Sequence, residues 1–395
     1  MIPIVQIILA SIIAAFLVYI TIPVVVRVSK VKNLFDYPDE RKVNKTVVPN
    51  LGGISIFIGI MLATLLSLFD IIFLDFRYIM AGMIMLLFIG IKDDIMIMPA
   101  RKKFIIQMIC ALILVVFGDI RFTNLHGVLG IYEINYAVSL LFSFLAIVAI
   151  INAVNLIDGI DGLAASLGIL IASTFGLLFF SIHELPYTIL CFAIAGSLIP
   201  FYFFNVYGKV NKIFMGDTGS LILGLLFAVF VIKYNEFAIT KSNEFFRCSP
   251  ALSMAIVAIP LFDMVRVFFF RIRRRMSPMS PDKNHIHHKL LRLGYSHLKS
   301  TLILVSTNLL LIGMVYLMDM VETNVNLQLF LLFTTAMMLS FVPDVIYQRK
   351  KALANSVKVQ SNLAFKALMD AMKSDAEASR SSAKKSKYLE KTLVE

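Results

Sequence analysis

The sequence predicts an all-α polytopic membrane protein with about 11 transmembrane helices. Two observations predict this fold class: 59% of the 395 residues are apolar, and the mean hydropathy is +0.85. A soluble domain has about 45–50% apolar residues, so a soluble globule is improbable and a disordered chain is excluded. Helices fit best, because an open sheet leaves backbone groups unsatisfied in lipid and the apolar residues do not alternate as barrel strands require.

Eleven apolar runs are the candidate spans. They cover residues 2–26, 51–69, 78–91, 104–118, 134–152, 163–182, 187–204, 218–234, 250–270, 302–318 and 325–346. The first run has neither a basic leading region nor a clear cleavage site, and further runs follow it. We therefore expect a retained helix there and not a signal peptide.

Lys and Arg predict the orientation of these spans. The loops on one side of the bilayer carry twenty of them, whereas the loops on the other side carry four. The positive-inside rule places the basic side in the cytoplasm. We therefore expect an outside N-terminus and a cytoplasmic C-terminus.

Residues 347–395 differ from the rest of the chain. This segment has no apolar run, and it carries eleven Lys or Arg against five Asp or Glu, which is half of the net charge of +12. We therefore divide the chain into a transmembrane domain, 1–346, and a basic cytoplasmic tail, 347–395. The tail is expected to be solvated and close to anionic lipid.

Polar residues cluster at the predicted cytoplasmic ends of the spans. Ionisable groups are costly at membrane depth, so such residues are functional candidates. Asp93 and Asp94 are adjacent carboxylates that repel unless a cation or a shared proton relieves them. Lys102 and Lys103 follow about ten residues later. This arrangement of acids and bases is typical of a site for a metal and a phosphate group.

A second cluster lies in NAVNLIDGIDGLAA, residues 152–165. Asn152 and Asn155 are three residues apart, as are Asp158 and Asp161, so each pair would share one face of a helix. The segment contains no Lys or Arg although it is predicted to face the cytoplasm. The acids therefore indicate a cation that comes from outside the segment.

Three further features lie at the predicted cytoplasmic ends of the spans. Asp217, in FMGDTGS, is either a helix cap or a ligand of Mg²⁺, which prefers oxygen donors. The NHIHHKL segment holds His285, His287 and His288 among basic residues, which indicates contact with a polyanion more than a zinc site. Lys45 precedes Pro49 and a Gly-Gly pair.

These residue types favour Mg²⁺-dependent phosphoryl transfer to or from a lipid, where catalysis depends on positioning and charge neutralisation. A cation-coupled transporter is the alternative from a different class of protein. Two observations favour the enzyme: the acids lie at the inner face and not at mid-membrane, and the basic histidine loop is larger than a gate requires.

The motifs NAVNLIDGIDGLA, FMGDTGS, the KDD acidic pair and NHIHHKL resemble the polyprenyl-phosphate N-acetylhexosamine-1-phosphate transferase superfamily, of glycosyltransferase family 4 type. The resemblance covers about residues 1–346. It implies transfer of N-acetylhexosamine-1-phosphate from a UDP-sugar to undecaprenyl phosphate, with release of UMP. The histidine run is interrupted by Ile286, which resembles the bacterial branch that uses UDP-GlcNAc and starts surface glycans such as O-antigen. The phospho-N-acetylmuramoyl-pentapeptide branch is the alternative.

The resemblance also implies residue roles. Asp217 would ligate Mg²⁺, with Asn155 as a second ligand and Mn²⁺ as an alternative ion. Asp93 or Asp94 would orient or deprotonate the lipid phosphate, and Lys103, or else Lys102, would neutralise phosphate charge. The expected nucleotide- and sugar-binding residues are Lys45, Asn152, Asp158, Asp161, Phe214, His285, His287 and His288.

The resemblance finally implies partners and a location. The expected partners are a UDP-N-acetylhexosamine, undecaprenyl phosphate and the lipid bilayer. A homodimer is compatible with a membrane enzyme of this kind, and no nucleic acid is expected. The location would be the bacterial cytoplasmic (inner) membrane, with the active site facing the cytoplasm.

Overall fold

The computed structural model describes residues 2–35, 48–68, 71–96, 98–240, 249–276 and 284–392, and these are mostly helical. The elements are α1 (Ile2–Val31), α2 (Gly52–Ser67), α3 (Phe76–Ile95), α4 (Ala100–Leu112), β1 (Asn124–Val128), β2 (Ile131–Glu133), α5 (Tyr136–Ile157), α6 (Leu163–Ser181), α7 (Leu185–Tyr207), α8 (Gly216–Thr240), α9 (Ser249–Ile256), α10 (Ala258–Arg273), α11 (Ile286–Arg292), α12 (His297–Met320) and α13 (Val325–Thr392). A short π-helical turn, Ile113–Phe117, extends α4.

Each predicted apolar run coincides with a helix or, in one case, with two helices. In the described part of the chain, seven helices are long and apolar enough to cross a membrane, and α9 with α10 would make an eighth across an 81° bend. The seven are α1, α5, α6, α7, α8, α12 and the first part of α13. The chain is therefore a multi-pass membrane protein, while the count of eleven stays a prediction. Helix α2, for example, has only 16 residues, and a span needs about 20.

Helix α8 forms the centre of the bundle. It packs against α2, α3, α5, α6 and α9, and 78% of its most apolar window is buried, against 28% for α1. A helix that is apolar on all sides requires such a surrounded position. Glycines allow the close approach, because a Cβ built on Gly53 or Gly90 would overlap the backbone of α8 at Gly219 or Thr218. The N-terminal end of α8 is thereby held between α2 and α3.

Among the described residues, a pair of strands departs from the all-α prediction. Strands β1 and β2 form an antiparallel hairpin, which carries no long apolar run and was not predicted. The backbone of Thr123, just before β1, donates to the Glu236 carboxylate near the end of α8 (2.7 Å). Leu129 and Gly130, both at positive φ, form its turn, and Gly127 near the end of β1 also has positive φ. The predicted basic loop 271–297 also contains a short helix, α11.

The C-terminal part of the chain is a separate unit. Contacts divide the chain into Met1–Phe341 and Val342–Glu395. The described part of the second unit continues α13 to Thr392 as one helix. Its large apolar side chains, among them Leu353, Val357 and Leu368, are exposed.

Candidate active site

Asp217 lies in the first turn of α8, where the carboxylate of Asp94 caps the helix. Asp94, at the end of α3, accepts hydrogen bonds from the backbone N–H of Asp217 (2.8 Å) and of Thr218 (3.1 Å), and from the Thr218 hydroxyl (2.6 Å). The first N–H groups of a helix have no partner within it, and a carboxylate there also favours the helix dipole. Asp94 is therefore engaged in holding Asp217 in place.

The ammonium group of Lys103 joins the predicted acids and the predicted asparagine. It contacts the carboxylate of Asp217 directly, the Oδ1 atom of Asn155 at 3.2 Å and the Oδ2 atom of Asp93 at 3.5 Å. The amide of Asn155 donates in turn to Asp217 (2.7 Å) and to Ser220 (2.8 Å). Side chains from α3, α4, α5 and α8 thus converge on one point.

The side chains at this point carry oxygen atoms, the type of ligand that Mg²⁺ prefers. Three oxygen-bearing side chains, of Asp93, Asn155 and Asp217, already surround a cation there, the Lys103 ammonium. Within the described ranges, no group of three or more His, Cys, Asp or Glu lies close enough to hold a metal ion. Mg²⁺ usually binds through one or two carboxylates together with waters and substrate phosphates. The residues therefore fit a metal whose coordination the substrate completes.

The two acids of the DGxDG motif have different surroundings. Asp158 ends α5, and burial, with repulsion from Asp217 and Asp161, raises its pKa to about 7. It has no hydrogen-bonding or ionic partner among the residues that the structure describes. Burial alone would also raise the pKa of Asp161, but hydrogen bonds from His297 and Lys212 hold it below its usual range. Asp158 is thus the acid that a ligand would have to satisfy.

The remaining nucleotide- and sugar-binding candidates fall into three groups. Asn152 donates to Gln107 (2.7 Å) and to the Val148 carbonyl (2.7 Å), so it joins α5 to α4. Phe214 lies beside Lys212, whose ammonium is 5.8 Å from the centre of its ring. Lys45 lies outside the described residues.

The histidine segment reaches the DGxDG loop through His287. A Cβ built on Gly159 would overlap the His287 ring, and neither ring nitrogen has a hydrogen-bond partner in the described ranges. Burial, followed by repulsion from His288, lowers the pKa of His287 to about 3. The His288 ring lies beside it, tilted by 50°, with ring centres 4.3 Å apart. His287 is therefore neutral and packed against the loop.

Two residues of this region were not predicted from the sequence. Lys212 forms an ion pair with Asp161 (2.6 Å). In the sequence, Lys212 stands out only as one of the basic loop residues that predict the orientation of the spans. Asn205 accepts a hydrogen bond from the backbone of Gly162 (2.6 Å) and donates to the Ile213 carbonyl (2.9 Å). In the sequence, Asn205 could have been recognised as an isolated amide directly after the apolar run 187–204.

Comparison with known proteins identifies the family. Residues 76–235 match the model of glycosyl transferase family 4. A probable undecaprenyl-phosphate N-acetylglucosaminyl 1-phosphate transferase of Bacillus subtilis is 31% identical over 86% of this chain and 92% of its own length. The undecaprenyl-phosphate alpha-N-acetylglucosaminyl 1-phosphate transferases of Salmonella typhi and Escherichia coli K12 are each 30% identical, over 67% and 68% of this chain and 70% and 72% of their own lengths. The chain belongs to this family.

As a family 4 glycosyl transferase, the chain is an enzyme that transfers a sugar phosphate. The matched segment begins with α3 and ends within α8. It therefore contains the whole cluster around the Lys103 ammonium, whereas the histidine segment lies beyond it.

The contact between Gly159 and His287 leads to a testable prediction for this transferase. Gly159→Ala would displace the His287 ring, and a displacement of about 1 Å at a catalytic site can cost about 100-fold in rate. We expect kcat to fall about 10- to 100-fold in a product-release assay. The control is Gly313→Ala in α12, where the added Cβ meets no atom within 4 Å. Equal activities of the two variants would contradict the contact.

Proposed function

We propose that this transferase moves N-acetylglucosamine-1-phosphate from a UDP-sugar to undecaprenyl phosphate, releases UMP and so starts a lipid-linked surface glycan. The observation that carries the proposal is the convergence of Asp93, Asn155 and Asp217 on the Lys103 ammonium. The names of the relatives support the lipid acceptor and the sugar. Two carboxylates that can hold a metal, together with the Lys103 ammonium, support a diphosphate donor. The metal and the lysine would together neutralise the negative charge of the diphosphate.

Different residues have different roles in the proposed transfer. Asp217 and Asn155 would hold Mg²⁺, which would supply charge neutralisation for the diphosphate when bound. Lys103 would contact the same phosphate oxygens. An oxygen of the lipid phosphate attacks the β-phosphorus of the donor, a new P–O bond forms, and the bond to the UMP oxygen breaks.

Asp93 and Asp94 have different roles in this proposal. Asp94 caps α8, so Asp93 is the acid that would face the lipid phosphate. The second pKa of a phosphate monoester is about 6, so the attacking oxygen already lacks its proton at neutral pH. Asp93 therefore positions the phosphate and does not need to act as a base.

The nucleotide and sugar would lie towards the DGxDG loop. Asp158 would accept hydrogen bonds from the nucleoside or sugar hydroxyls, because it is the acid without a protein partner in the described part of the chain. Phe214 offers a ring for stacking on uracil, and the histidine segment would contact the sugar and the diphosphate. Lys45 and Asn152 stay candidates for the same region.

The decisive experiment is a UMP-release assay with purified enzyme, undecaprenyl phosphate and one of three donors. We expect release with UDP-GlcNAc, less with UDP-GalNAc and none with the muramoyl-pentapeptide nucleotide. EDTA should abolish release, and Mg²⁺ or Mn²⁺ should restore it. Release only with the muramoyl-pentapeptide nucleotide would move the enzyme to the other branch. Uptake of a solute into proteoliposomes without UMP release would instead indicate a transporter.

We further propose eleven spans in the inner membrane, an outside N-terminus, a cytoplasmic active site and a cytoplasmic tail. The strong asymmetry of Lys and Arg between the two sets of loops supports this orientation. In a Cys248→Ser background, a membrane-impermeant maleimide should label Leu129→Cys, in the hairpin, on intact spheroplasts. Lys209→Cys, after α7, should be labelled only after permeabilisation. Labelling of both sites on intact spheroplasts, or the reverse pattern, would contradict the orientation.

A further inference from the structure

A buried charged cluster in α10 plays no part in the transfer as derived above. Asp263 is 3% exposed and Arg266 is fully buried. Arg266 is one of only two Lys or Arg residues within the predicted spans. Because buried charges carry a large desolvation cost, such a pair gives weak evidence for stability and stronger evidence for a specific role.

The Asp263 carboxylate joins α10 to the start of α11. Its Oδ1 atom accepts hydrogen bonds from Arg266 (2.7 Å) and from the backbone N–H of Ile286 (2.9 Å), and its Oδ2 atom lies 2.8 Å from Nδ1 of His285. The N–H of Ile286 has no partner inside α11, and His285 provides no side-chain cap. Asp263 supplies that cap from another helix.

Arg266 holds the same segment from a second direction. Its guanidinium donates to the carbonyl of Asn284 (2.6 Å) and to the carbonyl of Ser340 (3.1 Å). One cation and one anion therefore fix the backbone directly before and at the beginning of the histidine motif. The motif is held by charge-assisted hydrogen bonds, which are stronger than those between neutral groups.

This arrangement determines how His285 presents its ring. Since a carboxylate can only accept, Nδ1 of His285 carries the hydrogen, and Nε2 is left for another partner. Within the described ranges, Nε2 has no hydrogen-bond partner. The His285 ring also stacks on His287, with centres 5.7 Å apart and planes 9° from parallel. The orientation of His285 therefore constrains the His287 ring, which packs on Gly159.

We propose that Asp263 is a positioning residue for the transfer: it holds His285 with Nδ1–H towards the carboxylate and Nε2 towards the phosphate groups of the donor, with Arg266 as its counter-charge. This rests on the proposed function insofar as the donor is a diphosphate. A carboxylate behind an imidazole fixes its orientation and tautomer. With one hydrogen on Nδ1, Nε2 donates to a phosphate oxygen only when the ring is doubly protonated, and the Asp263 carboxylate then balances the charge of the ring.

The first test is a double-mutant cycle in the full-length enzyme. Asp263→Asn keeps the shape but turns an amide N–H towards Nδ1, which forces the other tautomer. We expect kcat to fall about 10- to 100-fold and the double variant D263N/H285A to be as active as H285A. Losses that multiply in the double variant would overturn the proposal, because Asp263 would then act independently of His285. The control is Asp75→Asn, which removes a carboxylate paired with Lys233 (2.7 Å) at the opposite end of α3 from Asp93.

A second measurement is made on the wild-type enzyme and does not depend on the folding of Asp263→Asn. Nitrogen-15 labelling of the six histidines, with His285→Gln to assign the signal, gives the tautomer of His285 in the wild-type enzyme. A hydrogen on Nδ1 is expected, and a ring protonated only on Nε2 would overturn the proposal. Failure of the wild type to use UDP-GlcNAc would refute the donor and leave this measurement unaffected, so the two failures are distinguishable.

Discussion

Replacing Asp217 by Asn is expected to lower kcat for UMP release about 1000-fold, the upper end of the loss from deleting one preorganised electrostatic group. Asn keeps the size of the side chain but removes the charge that both the Lys103 ammonium and the proposed Mg²⁺ share. The variant should also need more Mg²⁺ for half-maximal activity. The measurement is a Mg²⁺ titration of UMP release with saturating donor and acceptor.

Asp119→Asn is the matched control for this substitution. Asp119 has a side chain that is 72% exposed and a backbone at φ 48°, a conformation that Asn tolerates well. Folding of both variants can be followed with a fluorogenic maleimide in a Cys248→Ser background, since the two other cysteines, Cys110 and Cys191, are buried and are expected to react on unfolding. A folded Asp217→Asn enzyme with near wild-type kcat would refute the metal assignment.

The positions of the helices follow from the sequence because a long apolar run in lipid has few alternatives to a helix. Position alone does not determine which helices cross the membrane. Helices α2 and α4 are short, and the run at 250–270 breaks into α9 and α10 at an 81° bend. The hairpin β1–β2 depends on contacts with α8 that no local pattern encodes.

The candidate site could be predicted as a set of residues but not as a division of roles. Asp93 and Asp94 are equivalent in sequence, and only the approach of α8 to α3 makes Asp94 a cap. Asp263 and Arg266 are three residues apart inside an apolar run, so the spacing puts them on one helix face, but it does not reveal that both hold the start of α11. Roles set by contacts between distant segments require the fold.

The choice between two lysines has the same limit, because the resemblance favours Lys103 but leaves Lys102 as the fallback. Consecutive residues of a helix lie about 100° apart around its axis, so only one of them can face the acids. The structure places Lys103 against Asp217 and leaves Lys102 exposed. The choice between them is therefore a matter of helix geometry, and it can be tested directly.

Lys103→Gln is expected to lower kcat about 100- to 1000-fold, because it removes a positive charge aimed at the phosphate oxygens in the transition state. Lys102→Gln, one residue earlier on the same helix, should keep activity within about 2-fold, since a surface charge contributes little. This pair is matched in residue type, position in α4 and chemical change. Equal losses in both variants would mean that α4 contributes only a general positive field.

Asp217→Asn and Lys103→Gln should shift the Mg²⁺ concentration for half-maximal activity in opposite directions. The Lys103 ammonium contacts the carboxylate of Asp217 and lies 3.5 Å from that of Asp93, so in the free enzyme it competes with a metal for the same oxygens. Lys103→Gln removes the competitor and should lower the Mg²⁺ concentration for half-maximal activity while kcat falls. Asp217→Asn removes the ligand and should raise that concentration. If both variants shifted the Mg²⁺ requirement in the same direction, lysine and metal would not share Asp217, and the two charges would have to act at separate phosphate groups.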